Sequence, residues 1–317
     1  NAGKDGAHVR RLTVHKGVER DPMFSPDGQW IAFSGHYAGN TDIYLVPAEG
    51  GMPKRLTYHP GMDIIRGWRG NNEIVFASAR ESHSGRYMKL FTIHREESMP
   101  KALPMPEAHQ GKISPDGKFT AYIKNPDPTE SRGAYRPFKH YRGGNTPKIW
   151  IFNNETYEIE EIPPAGANNT HPVWAGNTMI YFLSDRNGTT NIFSYSRETS
   201  EVQQVTNFTE YPVKTLFSNG QTLAFEQGGR VHLYDLESET QQTLHIHIQP
   251  DIPYKRARYV EGEDYIEDAS VSPSGVRALM SVRGDVFTVP AEKGDIRNIT
   301  ESPGAHDRFP AWSPNGE

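Results

Sequence analysis

The sequence predicts an all-β protein, a β-propeller of four-stranded antiparallel blades. First, the 317 residues include 29 Gly and 24 Pro, and this high content of turn-forming residues favours many short strands over a helical bundle. Second, one turn motif recurs seven times along the whole chain, and a short apolar strand follows six of the copies. Third, the turn glycines lie 41 to 59 residues apart, which is typical of propeller blades. These glycines are Gly28, Gly70, Gly117, Gly176, Gly220, Gly275 and Gly316.

The recurring turn is Ser-Pro-Asp-Gly or a variant of it. Asp-Gly and Asn-Gly favour the positive φ angles that a tight hairpin requires, and Pro restricts the backbone just before them. The seven copies occupy residues 25–28, 68–71, 114–117, 174–177, 218–220, 272–275 and 313–316.

Each repeat continues with two further strands after the turn and its apolar strand. The third strand begins polar and is predicted at residues 42–46, 148–152, 191–195 and 285–289. The fourth strand is predicted at residues 54–57, 204–206 and 297–300, and its polar alternation suits an outermost, half-solvated strand. Four antiparallel strands, repeated radially, form a propeller.

The composition excludes several classes of function. The chain has 34 Lys and Arg against 39 Asp and Glu, a net charge of −5, whereas nucleic-acid binding needs a basic surplus. It has no Cys, which excludes disulfides, thiol catalysis and Cys-ligated zinc. No apolar run approaches the roughly 18 residues of a membrane helix. We therefore expect neither a nucleic-acid nor a membrane partner.

Motifs that carry chemistry are also missing. The serine-hydrolase elbow Gly-x-Ser-x-Gly, the zinc motif His-Glu-x-x-His and the glycine-rich phosphate loops do not occur. His245 and His247 lie on one face of a predicted strand, but no third ligand accompanies them. Asp27 and Asp116 occupy turn positions of the repeat. The sequence thus predicts no catalytic residue, no metal site and no cofactor.

The candidate binding surface is the side of the propeller where two sets of loops emerge. Loops from the fourth strand to the next blade carry polar residues, and the longest loop between a second and a third strand spans residues 125–147. Its basic and aromatic residues suit a peptide carboxylate, an acidic segment or a partner protein, although solvated loops alone would also explain them. The candidate peptide- or partner-binding residues are Arg132, Arg136, Lys139, His140, Tyr141, Arg142, His59, His109 and His171.

Four strings, at residues 39–48, 141–152, 181–188 and 287–295, resemble the N-terminal propeller region of tricorn-type serine peptidases. The similarity covers essentially the whole chain. The Ser-Pro-Asp-Gly blades alone also resemble TolB-like and WD40-like propellers, so the second and fourth strings are the specific ones. The resemblance implies a six-bladed ring, then a seven-bladed ring, a PDZ domain and a peptidase core. Since the family's catalytic residues lie in that core, none is carried over to this chain.

The resemblance also divides the chain. Residues 10–13 are predicted to be a fourth strand and residues 309–313 a first strand, so we expect a piece of a longer protein. Residues 1–248 would be a six-bladed-type propeller that lacks most of its first blade. Residues 249–317 would be a linker and the start of a seven-bladed-type ring. The alternative is a single seven-bladed ring in which the two end strands share one blade.

Three functions are compatible with these observations. The first is a non-catalytic segment of a tricorn-like serine peptidase that gates or channels peptides and docks partners. The second is a TolB-like protein-binding scaffold, and the third is a propeller enzyme with a site in its channel. The expected partners are peptides or a protein, together with the remainder of a larger peptidase chain, and self-association is a further option. A cytoplasmic location is favoured over an exported one.

The composition of the long loop leads to a first prediction. Its four prolines, long cationic side chains and few aliphatic residues cannot bury much apolar surface. Limited trypsin digestion should therefore cleave near Arg132 or Arg136 before it cleaves any blade, as mass spectrometry of the first fragments would show. First cleavage next to the 150–152 strand would contradict this.

Overall fold

The computed structural model describes residue 3 and residues 5–83, 87–96, 99–124, 141–248, 259–302 and 304–316. Within these ranges the chain forms six four-stranded antiparallel sheets, and its helical structure is limited to a 3-10 turn at Glu263–Tyr265. In each sheet the strands pair in chain order, as in a propeller blade. The predicted all-β propeller fold is confirmed.

The strand bounds follow the repeat. The first sheet contains β1 (Glu19–Phe24), β2 (Trp30–His36), β3 (Thr41–Pro47) and β4 (Lys54–Arg55). The second contains β5 (Asp63–Arg69), β6 (Glu73–Ser78), β7 (Lys89–His94) and β8 (Lys101–Ala102). The third contains β9 (Gln110–Ile113), β10 (Phe119–Ile123), β11 (Trp150–Asn153) and β12 (Ile159–Glu161).

The remaining sheets are built in the same way. The fourth contains β13 (Asn169–Ala175), β14 (Met179–Ser184), β15 (Asn191–Ser196) and β16 (Val202–Gln204). The fifth contains β17 (Val213–Ser218), β18 (Thr222–Gln227), β19 (Arg230–Asp235) and β20 (Thr240–Thr243). The sixth contains β21 (Ile266–Val271), β22 (Arg277–Val282), β23 (Asp285–Pro290) and β24 (Arg297–Asn298).

The chain divides into two compact units, residues 1–248 with the first five sheets and residues 249–317 with the sixth. In the first unit an apolar layer fills the space between each pair of consecutive sheets. The side chains of strand β6 contribute to two of these apolar layers. Ile74 and Phe76 pack toward the first sheet, whereas Val75 and Ala77 pack toward the third. Because side chains alternate along a strand, a strand buried on both faces is apolar at almost every position.

Tryptophan side chains join neighbouring repeats. The Trp68 indole N–H donates to the Met23 carbonyl at 3.0 Å, and that of Trp174 donates to the Lys112 carbonyl at 2.8 Å. Trp312 repeats the bond within the second unit, to the Ser270 carbonyl at 3.2 Å. Each acceptor lies two residues before the Ser of a Ser-Pro-Asp-Gly-type turn. The repeat therefore encodes contacts between blades as well as the fold of each blade.

The turns themselves form a second contact between repeats. The backbone N–H of Asp27 donates to Asn71 Oδ1 at 3.1 Å, and that of Asp116 donates to Asn177 Oδ1 at 3.1 Å. Asn71 and Asn177 each lie three residues after the bonding Trp. The Trp and the Asn of each Trp-x-x-Asn turn thus form two hydrogen bonds with the preceding blade. The Trp bonds the strand just before the Ser-Pro-Asp-Gly turn, and the Asn bonds the turn itself.

The two predicted end strands do not form. Residues 10–13 and 309–313 have no strand assignment, because neither segment has a hydrogen-bonded neighbour strand among the described residues. Leu12 nevertheless packs against the apolar face of the first sheet, just as Leu56 packs against the second. Arg10 donates to the Ala48 carbonyl at 3.0 Å. The N-terminal segment therefore packs on the first sheet as a fourth strand would, but it forms no backbone hydrogen-bond ladder with another strand.

The indole bond between blades gives a second prediction. Trp68→Phe removes the indole N–H that donates to the Met23 carbonyl. Trp30→Phe, the control, makes the same change of ring in the same apolar layer, but the structure describes no indole hydrogen bond for Trp30. The Trp68 variant should lose about 1–2 kcal/mol more of the free energy of unfolding. Urea denaturation followed by circular dichroism measures both variants. Equal losses would show that the indole contributes only its apolar surface.

Candidate functional site

The first strands of the five sheets line the centre of the first unit. Strands β1, β5, β9, β13 and β17 contact one another in this order, with the later strands of each sheet outside them. Side chains that leave these strands toward the centre meet residues of other blades. This is where a propeller most readily builds a site from several repeats.

Four of these five strands have an irregularity at the same place. The register shifts between Arg20 and Met23, between Ile65 and Gly67, between Thr170 and Val173, and between Val213 and Thr215. A bulge inserts an extra residue and re-aims its side chain. The residues placed in these irregularities include Asp21, Arg66, His171 and Lys214. Charged or polar side chains thus occupy the irregular positions of all four strands.

Arg66, His109 and His171 are linked across three sheets. Arg66 is 6 % exposed, and its Nε donates to the His109 carbonyl at 2.7 Å. The next residue, Gln110, accepts the backbone N–H of His171 at 3.0 Å through its side-chain oxygen. The structure therefore brings together two of the histidines that the sequence analysis selected, and Arg66 is the residue that it missed.

Lys112 lies in the same central region. Its Nζ is 3.2 Å from Met23 Sδ and 6.0 Å from the centre of the Phe217 ring. Burial and the neighbouring Arg66 lower the pKa of Lys112 to about 7, while Asp21 opposes them. Since a buried ammonium is costly without a counter-charge, Lys112 is an unusual residue for a structural core.

The described end of the long loop is held by the fourth blade. Arg142 donates to Asp185 Oδ2 at 2.8 Å, and Asn168 donates to the same oxygen at 2.8 Å and to the Tyr141 carbonyl at 3.1 Å. Asp185 is 4 % exposed. Asn168 is three residues before His171, so the loop end is joined to the central strand β13. Tyr141 and Arg142 thus lie in one network with this strand.

His59 lies apart from this network. Its carbonyl accepts the side-chain amide of Asn40, and its Nδ1 accepts the backbone N–H of Gly61 at 2.9 Å. These bonds stabilise the connection between β4 and β5. The four other candidates, Arg132, Arg136, Lys139 and His140, lie outside the described residues.

Two arginines stack on aromatic rings at equivalent positions of two blades, a contact that the sequence analysis did not predict. Arg80 lies over the rings of Phe76 and Phe91 at 5.0 and 5.1 Å and donates to buried Asp63 at 2.7 Å. In the fourth sheet, Arg186 lies over two rings, those of Phe182 and Phe193, at 5.4 and 4.9 Å. The sequence pattern that could have predicted this contact is Phe-x-Ser-x-Arg, which occurs at residues 76–80 and 182–186.

The described part of the chain contains no group of three or more His, Asp or Glu side chains able to hold a metal ion. None of its helices has the length and apolar content needed to span a membrane.

The anchor of the long loop gives a third prediction. Asp185→Ala removes a buried acceptor of three hydrogen bonds. The free energy of unfolding should therefore fall by about 2–4 kcal/mol. Trypsin should also cleave after Arg142 several times faster. The matched control is Glu160→Ala, which breaks the exposed ion pair with Arg197 and should cost less than about 1 kcal/mol. Similar effects of the two variants would contradict the anchoring role.

Comparison with known proteins identifies the fold. The family model described as the tricorn protease N-terminal beta propeller domain matches residues 1–240. A tricorn protease homolog of Saccharolobus solfataricus is 27 % identical over 317 residues, covering 97 % of this chain and 28 % of the relative. A putative tricorn protease homolog 2 of Streptomyces coelicolor is 23 % identical, covering 95 % and 26 %. The chain thus spans little more than a quarter of these relatives.

Solved structures agree on the fold. The crystal structure of the tricorn protease superimposes with a TM-score of 0.70 at 22 % identity, over 92 % of this chain and 28 % of that one. A putative TolB of Agrobacterium tumefaciens gives a TM-score of 0.59 at 16 % identity, over 74 % and 83 %. At these identities the likeness concerns the fold alone. Because the family model covers most of the residues, the chain belongs to the tricorn protease N-terminal β-propeller family.

Proposed function

We propose that this chain is a non-catalytic propeller segment of a tricorn-like serine peptidase, and that it gates or channels peptides. The observation that carries the proposal is the polar lining of the central region, where Arg66, His109 and His171 are linked across three sheets. Membership of the tricorn family supports the same function.

The cationic character of the lining agrees with peptide binding. Arg66, Lys112 and Arg142 all lie on or beside the first strands, and each can bind a carboxylate or a backbone carbonyl. Arg142 is held by Asp185, so its guanidinium has a defined position. The undescribed part of the long loop would add Arg132, Arg136, Lys139 and His140 to this set.

Docking of a partner protein is the second part of the proposal. Exposed aromatic and apolar side chains occur in the connections that lead into first strands. Tyr58 is 69 % exposed, Met62 51 % and Tyr211 53 %. Tyr and Met are enriched at protein interfaces, and these three lie in equivalent loops on the side where the sequence predicts binding. We infer that this side of the propeller contacts another protein or another part of the peptidase.

The domain assignment is also a proposal. Residues 1–248 would be the six-bladed-type ring and residues 249–317 the beginning of a second ring. The division into compact units at residue 248 supports this boundary. The peptidase core and the remaining blades would then belong to other parts of a longer protein, working in the cytoplasm.

A peptide-binding experiment tests the function. The purified chain should bind fluorescein-labelled short peptides, measured by anisotropy, without hydrolysing them and without sensitivity to a serine-directed reagent. Arg142→Gln should weaken binding at least threefold, because it removes a cation beside β13. The control Arg197→Gln changes an arginine that pairs with Glu160 near the outer strands and should leave binding unchanged. Hydrolysis that the reagent abolishes, or an absence of binding, would overturn the proposal.

A further inference from the structure

The Lys112 side chain crosses the central region of the first unit. Met23 lies on β1 and Phe217 on β17, and Lys112 itself lies on β9. Since β5 separates β1 from β9, and β13 separates β9 from β17, neither contact is with an adjacent strand. A side chain that reaches both must extend over the centre of the ring. Lys112 is half-buried, so part of its surface remains accessible.

The ammonium group of Lys112 has weak partners in this position. A thioether sulfur is a poor acceptor, and an aromatic face at 6.0 Å gives only a modest cation–π attraction. Among the residues that the structure describes, no carboxylate forms an ion pair with Lys112. Arg66, which is buried on the neighbouring strand β5, repels the ammonium more strongly than Asp21 attracts it.

We propose that Lys112, with Arg66 beside it, forms a binding site for one carboxylate group inside the ring. A carboxylate entering the centre would supply the counter-charge that Lys112 lacks. Arg66 adds a second positive charge at a fixed position, because its Nε is bonded to the His109 carbonyl. The inference rests on the cationic lining of the proposed function and names the ligand class of two of its cations, and a free carboxylate tests the site apart from peptide binding.

The surroundings of Lys112 indicate the class of anion. Arg66 and Asp21 are the charged groups that act on Lys112, and the three groups together carry one positive charge, which suits a monovalent anion better than a phosphate dianion. Met23 and Phe217 present apolar surface next to the ammonium. The ligand is therefore a carboxylate attached to a small, uncharged organic group.

Binding of this anion is coupled to a proton. Burial and Arg66 hold the pKa of Lys112 at about 7, so the amine is mostly neutral at pH 9 and mostly charged at pH 6. The other charged or titratable groups on the strands packed around it are Glu19, Arg20 and Asp21 on β1, Asp63, Arg66 and Arg69 on β5, His171 on β13, and Lys214 on β17. Lys214 pairs with Glu226 at 3.6 Å. Of this set, Lys112 and His171 can change charge between pH 6 and pH 9.

The test uses N-acetylglycine as the probe and N-acetylglycinamide as its uncharged match. Binding of each to the 317-residue chain is measured by calorimetric titration at pH 6 and pH 9. The carboxylate should bind at least about tenfold more weakly at pH 9 than at pH 6, since most chains then carry a neutral Lys112. The amide should not bind at either pH. Equal binding of acid and amide, or no binding of the acid at pH 6, would overturn the proposal.

Variants assign the pH dependence to one residue. Lys112→Arg keeps a charge at both pH values, so N-acetylglycine should bind it at pH 6 and pH 9 with affinities within about threefold of each other. Lys112→Met should abolish binding, whereas Lys118→Met, an exposed lysine of the same blade, should not change it. A pH dependence that persists in Lys112→Arg would assign the effect to His171 and refute the site. Loss of peptide binding by the native chain with N-acetylglycine binding intact would refute only the proposed function.

Discussion

Each sheet in the middle of this propeller depends on having a neighbour on both faces. A four-stranded sheet with apolar side chains on both sides cannot exist alone in water, because burial of those side chains supplies most of its stability. The second sheet illustrates this, since Ile74 and Val75, adjacent in sequence, belong to different apolar layers. A set of neighbouring sheets is therefore the unit that folds, and a single blade is only one repeat of it.

The same constraint explains the two sheets at the ends of the first unit. The outer face of the first sheet is covered by Leu12 and Tyr37, which belong to the N-terminal segment and to a loop rather than to another sheet. In the fifth sheet Phe217 and Val231 remain 36 % and 37 % exposed. A face covered by loops, or left partly open, gains less from burial than one covered by a sheet. The central blades thus contribute more to the stability of the ring than the terminal ones.

Much of this fold could be predicted from the sequence, because turn chemistry and strand alternation are local. The positive φ of Gly28, 70°, is set by the tight turn that Ser-Pro-Asp-Gly encodes. The predicted strand at residues 10–13 was wrong because a strand needs a partner, which local pattern does not supply. His109 and His171 were selected as separate loop residues. Their link through Arg66 and Gln110 spans three sheets, so only the assembled ring could show it.

The position of the polar side chains on the first strands follows from the way the blades meet. First strands converge there, and regular alternation would direct their side chains only into the layers between sheets. The irregularities at Arg66 and His171 interrupt this alternation and bring polar groups to the axis. Lys112 reaches the axis without such an irregularity, from the repeat position that Met23 occupies in the first blade. Because the indole bonds from Trp68 and Trp174 involve only the backbone carbonyls at this position, its side chain is free to differ between blades. The repeat thus preserves the fold through backbone contacts and leaves the side chains of the channel open to function.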